Sequence, residues 1–171
     1  MYFFDPGIQG YMKTYNEKRD FSKTKEPEDI PPKKKNTDPI FVIQKHDATN
    51  LHYDFRLEID NTLKSWSVPK GPSTDPSVKR MAIPTEDHPI AYADFEGVIP
   101  QGEYGGGTVM IWDTGTIESN KKDEDGNIIS LEDSFNAGSI EVTLHGKKLK
   151  GGYNLVAVSY THLTLPTIYS V

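Results

Sequence analysis

The chain contains no cysteine in its 171 residues. A disulfide framework, a thiolate zinc site and a cysteine nucleophile are thereby excluded, and the composition suits a reducing compartment. No apolar run approaches membrane-spanning length, and the opening MYFFDPGIQGYMKTYNEKRD lacks a basic stretch leading into an apolar one. The expected location is the cytoplasm, with no membrane partner. Internal repeats are absent and helical periodicity is scarce. Positive charge is also in short supply, the formal net charge being -6. Non-specific grip along duplex DNA needs many cations against many phosphates, so the body of the chain is unsuited to it. The shortage is uneven: residues 13–35 hold eight Lys or Arg against five Asp or Glu, whereas residues 36–171 hold eleven against nineteen. That distribution leaves room for a local, metal-assisted hold on one phosphate.

What the sequence does have is a series of short β-type runs, and its length suits one domain with a real core. The runs are IFVIQKH, LHYDFRLEI, TLKSWSV, VKRMAIP, GTVMIWDTGTIE, SIEVTLHG and KLKGGYNLVAV, separated by turn-forming stretches such as DN, PKGPSTDP, PQGEYGGG and HGKK. They predict an all-β sandwich or barrel. MKTYNEKRDF could form a short helical turn, while KTKEPEDIPPKKKNTDP is too rich in proline and lysine for a regular element. SNKKDEDGNIISLEDS, with Asp123, Glu124, Asp125, Glu132 and Asp133, reads as an exposed hairpin extension.

The most informative run is KHDATNLHYDFRLE. From Leu51 to Ile59 the odd positions are all apolar and the even positions are His52, Asp54, Arg56 and Glu58. Side chains alternate across a strand, so one face is wholly apolar and the other wholly ionisable. A polar face in water is the ordinary explanation, but such faces carry Lys, Glu, Thr or Ser. His-x-Asp instead sets imidazole and carboxylate side by side, with Arg56 next in line. In the preceding strand Gln44 and His46 share a face. His46 alone would be a strand-end histidine; with His52 and Asp54 it becomes a third ligand in a set that suits Mn²⁺, Fe²⁺ or Zn²⁺. In EDHPIAYADFEG, Pro89 fixes the backbone after His88, and spacing alone reads Tyr92 as an aromatic that closes the core. GEYGGG lacks the lysine and helix of a phosphate loop and reads as a tight turn or bulge. Lys70, in a Pro-Gly turn, reads as solvated.

Three stretches, FVIQKHDATNLHYDFRLEIDNTLKSWSVPKGPS, EDHPIAYADFEGVIPQGEYGGGTVMIWDTG and LHGKKLKGGYNLV, closely resemble the 3′-phosphoesterase domain of bacterial DNA ligase D and its stand-alone relatives, and YNEKRDFSKTKEPE resembles that domain's opening. The likeness runs in order from residue 12 to residue 156. It implies a compact β-barrel with a hydrophilic interior and an irregular N-terminal arm. It implies Mn²⁺ held by His46, His52 and Asp54, with Arg56, His88 and Tyr92 at phosphate-engaging and catalytic positions. Gln44 and Glu86 match polar residues that support the site, and Arg19, Asp20 and Glu26 match functional positions on the arm. The implied activity removes a 3′-terminal ribonucleoside from a DNA or DNA–RNA primer-template end, then hydrolyses the 3′-phosphate to a 3′-hydroxyl. A ligase and a polymerase are the implied partners, and the sequence leaves open whether they are encoded separately.

The resemblance divides the chain into an extension and flexible arm (1–38), a barrel (39–157) and a tail (158–171). Residues 1–11 precede the family's start, which makes Met12 a second candidate initiator. The tail VSYTHLTLPTIYSV matches no part of the pattern, where the family continues with a basic connection and a final strand. Two rival classes stand beside the phosphoesterase. An Fe(II) oxygenase would use His52, Asp54 and His88, but no arginine is placed to hold a 2-oxo acid. A non-catalytic nucleic-acid-binding barrel would spread aromatics and basic residues over one sheet face, whereas this chain clusters metal-ligand types.

Overall fold

The computed structural model describes residues 14–30, 37–157 and 167–170. The β-branched and aromatic runs form β1 (Ile40–Asp47), β2 (Leu51–Ile59), β3 (Thr62–Val68), β4 (Lys79–Met81), β5 (Ile83–Pro84), β6 (Gly97–Ile99), β7 (Gly107–Ser119), β8 (Ser139–Gly146), β9 (Lys150–Val156) and β10 (Thr167–Ser170). One antiparallel sheet contains them in the order β4-β10-β9-β8-β7-β1-β2-β3-β5, with β6 paired to β7. Its two ends, β4 and β5, are separated in the chain by Ala82 alone. The segment 79–84 pairs with β10 before that residue and with β3 after it, so the sheet curls into a barrel-like form. The tail thus contributes a strand, with Thr167–Ser170 in register between β9 and β4. The extension 1–11, Met12 and most of the tail lie outside the described residues.

The β2–β3 hairpin shows how local sequence sets register. Ile59 pairs with Thr62, and the two residues between them, Asp60 and Asn61, have φ of 54° and 57°. Two left-handed residues in a two-residue loop make the turn whose twist matches antiparallel strands, and Asp and Asn tolerate it better than most side chains.

The alternation in β2 separates two environments. Phe55, Leu57 and Ile59 join Phe41, Ile43, Trp66, Val68, Ile117, Val142, Leu144, Tyr153 and Leu155 in one apolar cluster. Strands all around the curl supply it, so this is the barrel's core. Burying each such side chain stabilises by about 1.5–3 kcal/mol. On the other face β1, β3 and β7 carry Val42, Leu63, Val109 and Ile111, and Tyr15, Tyr92, Ala93, Phe95 and Ile99 cover it. The hydrophilic lining foreshadowed by the even positions of β2 is carried on this second face, between the sheet and residues 14–30 and 90–99.

β7 serves both faces through a bulge. Ile43 pairs with Asp113 but Gln44 with Ile111, leaving Trp112 as an extra residue. One inserted residue exchanges the faces of everything beyond it. Hence Val109 and Ile111 meet the second face while Ile117, of the same parity, enters the barrel core.

The strands β6 and β10 and one α-helix escaped the sequence reading. The acidic stretch does form a hairpin, closed by the Lys122–Ile128 bridge, but α1 (Leu131–Asn136) follows it. The Ser130 Oγ accepts from the Asp133 N–H at 3.1 Å, a helix cap, and Leu131 is buried in the barrel core.

Candidate functional site

Antiparallel register places His46 directly opposite His52, and Gln44 opposite Asp54. His46 Nδ1 lies 3.4 Å from Asp54 Oδ2, and His52 Nε2 lies 3.3 Å from Asp54 Oδ1. One ligand atom from each residue lies within 4.8 Å of the others. The remaining ring nitrogens are committed to backbone: His46 Nε2 is 2.7 Å from the Gly105 carbonyl, and His52 Nδ1 is 2.8 Å from the Asn50 carbonyl. A carbonyl only accepts, so those nitrogens carry the protons. In the neutral rings the lone pairs then face Asp54, the orientation that second-shell carbonyls impose on metal-binding histidines. The donor set and its tautomers fit a divalent transition ion. The Asp54 carboxylate, hydrogen-bonded to His52, raises that imidazole's pKa against the opposing effect of burial. Burial would push the Asp54 carboxyl up, but Arg56, His46 and His52 together outweigh it and hold it far below the usual carboxylate range.

Arg56 continues the row. Its Nη2 lies 3.3 Å from Asp54 Oδ2, its Nε donates to Gln44 Oε1 at 2.8 Å, and its Nη1 lies 3.2 Å from His88 Nδ1. Gln44 is fully buried, and its Nε2 donates to the carbonyls of Tyr92 (2.8 Å) and Phe95 (3.0 Å). Those two acceptors fix the amide, so only its oxygen can face Arg56.

His88 is held by backbone bonds to Leu63 in β3, its N–H donating at 3.0 Å and its carbonyl accepting at 2.8 Å. Burial first, and the Arg56 guanidinium second, push the His88 pKa well below its ordinary value, so the imidazole is neutral near pH 7. Its Nδ1 also lies 2.8 Å from the Glu86 carbonyl. Arg56 only donates and the carbonyl only accepts, so one proton position at Nδ1 satisfies one neighbour at a time. Tyr92 sits in the short 3-10 turn Ile90–Asp94. Its ring lies 4.9 Å from the Arg56 guanidinium and its hydroxyl donates to Glu26 Oε2 at 2.8 Å. It is 2% exposed.

The described part of the arm completes this pocket. A 3-10 turn at Asn16–Lys18 follows Tyr15, which packs edge-on against His88 and Tyr92. Arg19 donates to Glu26 (2.9 Å) and to Glu86 (2.7 Å), Lys18 pairs with Glu86 (2.8 Å), and Thr24 Oγ1 donates to Glu26 Oε1 (3.0 Å). Gln44, Arg56, His88, Tyr92, Glu26, Arg19 and Glu86 therefore form one connected network. Asp20 stands outside it, its carboxylate capping a turn by accepting from the Ser22 N–H and hydroxyl and pairing with Lys23. His88 is likewise no part of the ligand cluster found among the described residues, which comprises His46, His52 and Asp54; the oxygenase triad is not assembled.

Sequence reasoning missed Tyr15, Lys18, the Asn50 and Gly105 carbonyls, and Tyr104. Backbone atoms leave no mark in a sequence. GEYGGG is indeed a pair of turns, Glu103 N–H to Pro100 O and Gly106 N–H to Glu103 O, both at 3.1 Å.

Sheet and cluster place the chain in the class of barrel-like β proteins with a candidate metal centre on the face turned away from the core. Its sequence narrows that class: residues 44–157 match the profile of the DNA Ligase D 3′-phosphoesterase domain, and the chain belongs to that family. It is 49% identical over 146 residues to the multifunctional non-homologous end joining protein LigD of Pseudomonas aeruginosa, covering 85% of this chain and 16% of that protein. It is 46% identical over 154 residues to the multifunctional non-homologous end joining DNA repair protein LigD of Mycobacterium tuberculosis, covering 89% and 19%, and 46% identical over 155 residues to the multifunctional non-homologous end joining protein LigD of Mycolicibacterium smegmatis, covering 89% and 20%. The chain thus spans a fifth or less of the length of these relatives.

Proposed function

We propose that this chain heals 3′ ends in DNA break repair as a Mn²⁺-dependent phosphoesterase. It removes a 3′-terminal ribonucleoside from a DNA or DNA–RNA primer strand and then hydrolyses the 3′-phosphate to a 3′-hydroxyl. The relatives' names, which speak of end joining and of several functions in one protein, support that setting. The carrying observation is the ligand cluster with both imidazole lone pairs facing Asp54 and Arg56 alongside. His46, His52 and Asp54 would hold the ion. Bound there, Mn²⁺ would polarise a phosphoryl oxygen and lower the pKa of a water.

The chain's own residues do the rest. Phosphoryl transfer asks chiefly for positioning and for charge to meet the equatorial oxygens. Arg56, held at Nε by Gln44, presents a planar fork to an oxygen. Neutral His88 exchanges a hydrogen bond between Arg56 and the Glu86 carbonyl, which lets its ring either donate or accept. Tyr92 positions Arg56 through its ring and Gln44 through its carbonyl, while its hydroxyl holds the arm through Glu26. Formal charges close: Lys18, Arg19 and Arg56 balance Glu26, Asp54 and Glu86. A divalent cation would therefore give the pocket the charge that complements a phosphate monoester dianion.

The test is a 5′-labelled primer ending in a 3′ ribonucleotide. With Mn²⁺ it is shortened and left with a 3′-hydroxyl; with EDTA it stays intact. His52→Ala loses both steps and weakens Mn²⁺ binding by at least about 100-fold, the upper end of what disturbing a ligand's support costs. Equal processing with chelator refutes the metal reading, and tight binding without turnover would mark a non-catalytic nucleic-acid-binding barrel.

A further inference from the structure

Tyr104 is a large aromatic left 49% exposed beside the candidate metal centre. The backbone puts it there. It is the second residue of the turn Glu103–Gly106, whose third residue, Gly105, has φ of 74°. A left-handed third residue is what a type II turn requires, and glycine supplies it without strain. The carbonyl of that same Gly105 accepts the Nε2 proton of His46 at 2.7 Å. One turn therefore fixes the tautomer of a candidate ligand and carries Tyr104 on the residue just before the accepting carbonyl.

Two cations lie over the ring, and both also pair with Glu86. Lys18 Nζ lies 4.9 Å and the Arg19 guanidinium 5.3 Å from its centroid. Lys23 reaches towards Glu103 at 3.7 Å, so the arm and this turn meet at the edge of the pocket. An aromatic face flanked by cations is how proteins receive a single-stranded base whose phosphate is bound next door, and it is tolerant of base identity because every base has a π-face.

We infer that Tyr104 is the stacking platform for the base of the terminal nucleotide at the 3′ end. The inference rests on the 3′-end reading above and adds a specificity element to it. The ring receives the base, while the cluster of His46, His52 and Asp54 and the Arg56 fork receive the phosphate. Recognition is by the presence of a base at the end and not by its sequence. Tyr104 is then a contact made by the nucleoside-bearing end and absent from the end that carries a bare phosphate.

The test uses a short single strand with 2-aminopurine as its 3′-terminal base, since stacking on an aromatic quenches that base's fluorescence. The full chain should quench it, and Tyr104→Phe should quench it equally. Tyr104→Leu, which keeps apolar bulk but has no π-face, should lose the quench and bind the strand about ten-fold more weakly, within the range for one base–aromatic stack. A strand with the probe several nucleotides inside should show no quench with any variant. The melting temperature of Tyr104→Leu, matched to the parent, verifies its fold. Equal quenching by Tyr104→Leu, equal quenching of the internal probe, or no quenching by the parent would each overturn the inference. Terminal quenching by a chain that fails to hydrolyse the primer would sustain the platform and reject the phosphoesterase reading, so the two failures are distinguishable.

Discussion

Replacing Arg19 by Met tests whether the arm is an integral part of the pocket. The Arg19 side chain is 4% exposed, and its partners Glu26 and Glu86 are 1% and 7% exposed. Met keeps an unbranched apolar stem and removes the guanidinium. Glu86 would retain Lys18, and Glu26 would retain only two neutral donors, the hydroxyls of Tyr92 and Thr24. The Tyr15 ring would also lose the guanidinium stacked 3.7 Å from its centroid. Removing one partner of a buried pair costs about 3–5 kcal/mol because it leaves the other charge uncompensated. The remaining donors of Glu26 place this case at the low end, about 3 kcal/mol. For a chain of this size that lowers the melting temperature by about 6–12 °C. Urea denaturation and thermal melting measure it. Adding Glu26→Gln to the Met background removes the stranded carboxylate and should recover part of the loss, a coupling that a double-mutant cycle isolates. A loss below about 1 kcal/mol, the range of exposed pairs, would refute the argument and make the arm a peripheral attachment.

His88→Gln should change how stability responds to pH. The folded-state pKa of His88 lies well below its ordinary value, so between that pKa and about 6.5 the unfolded chain binds a proton that the native chain does not. Stability then rises with pH across that window and is lost as pH falls, by about 1 kcal/mol per unit for this one residue. Denaturant melts from pH 5 to 7 should show a shallower slope in the variant; identical slopes would mean that His88 takes up its proton in the fold. Asp113→Asn probes the β8–β9 hairpin, where Oδ1 accepts the N–H groups of Thr114 and Lys147 and Oδ2 those of Lys148 and Leu149. An amide nitrogen in place of one oxygen confronts two donors with a third, at a cost of about 2–4 kcal/mol, and hydrogen exchange should accelerate at 147–149; unchanged exchange would contradict it.

The strands were legible because alternation is a strong signal. LHYDFRLEI, TLKSWSV and SIEVTLHG coincide with β2, β3 and β8 residue for residue. α1 was not, since six residues are too few for a helical period and the only mark is Ser130 three residues ahead of Asp133. The ligand cluster was legible from types and spacing on adjacent strands, and geometry brings His46, His52 and Asp54 together. His88 and Tyr92, read from spacing alone, looked like loop and core, and both are buried. What spacing could not show is that His88 lies within reach of Arg56, because a contact across 32 positions depends on the Leu63 bridge that folds the 86–92 segment onto β3. The role of Asp20 was carried by resemblance, and its position in a turn gives that role no geometric support.

Sheet and arm contribute different things to the pocket. The sheet supplies direction: register sets His46 against His52, the alternation of β2 aligns Asp54 and Arg56, and the bulge at Trp112 keeps the apolar side chains of β7 on both faces. The arm supplies dryness. Tyr15 is 4% exposed and packs 5.2 Å from the His88 ring, so part of the burial that depresses the His88 pKa comes from residues outside the sheet. Arg19 adds its positive charge to the same effect. Glu26 ties that arm to Tyr92, whose carbonyl orients Gln44 and, through it, Arg56. Residues sharing such a network do not act additively. Loosening the arm at Arg19 returns water to His88 and removes a cation from its surroundings, and both changes favour its protonated form. The protonation state of His88 is therefore a property of the docked arm as much as of the barrel.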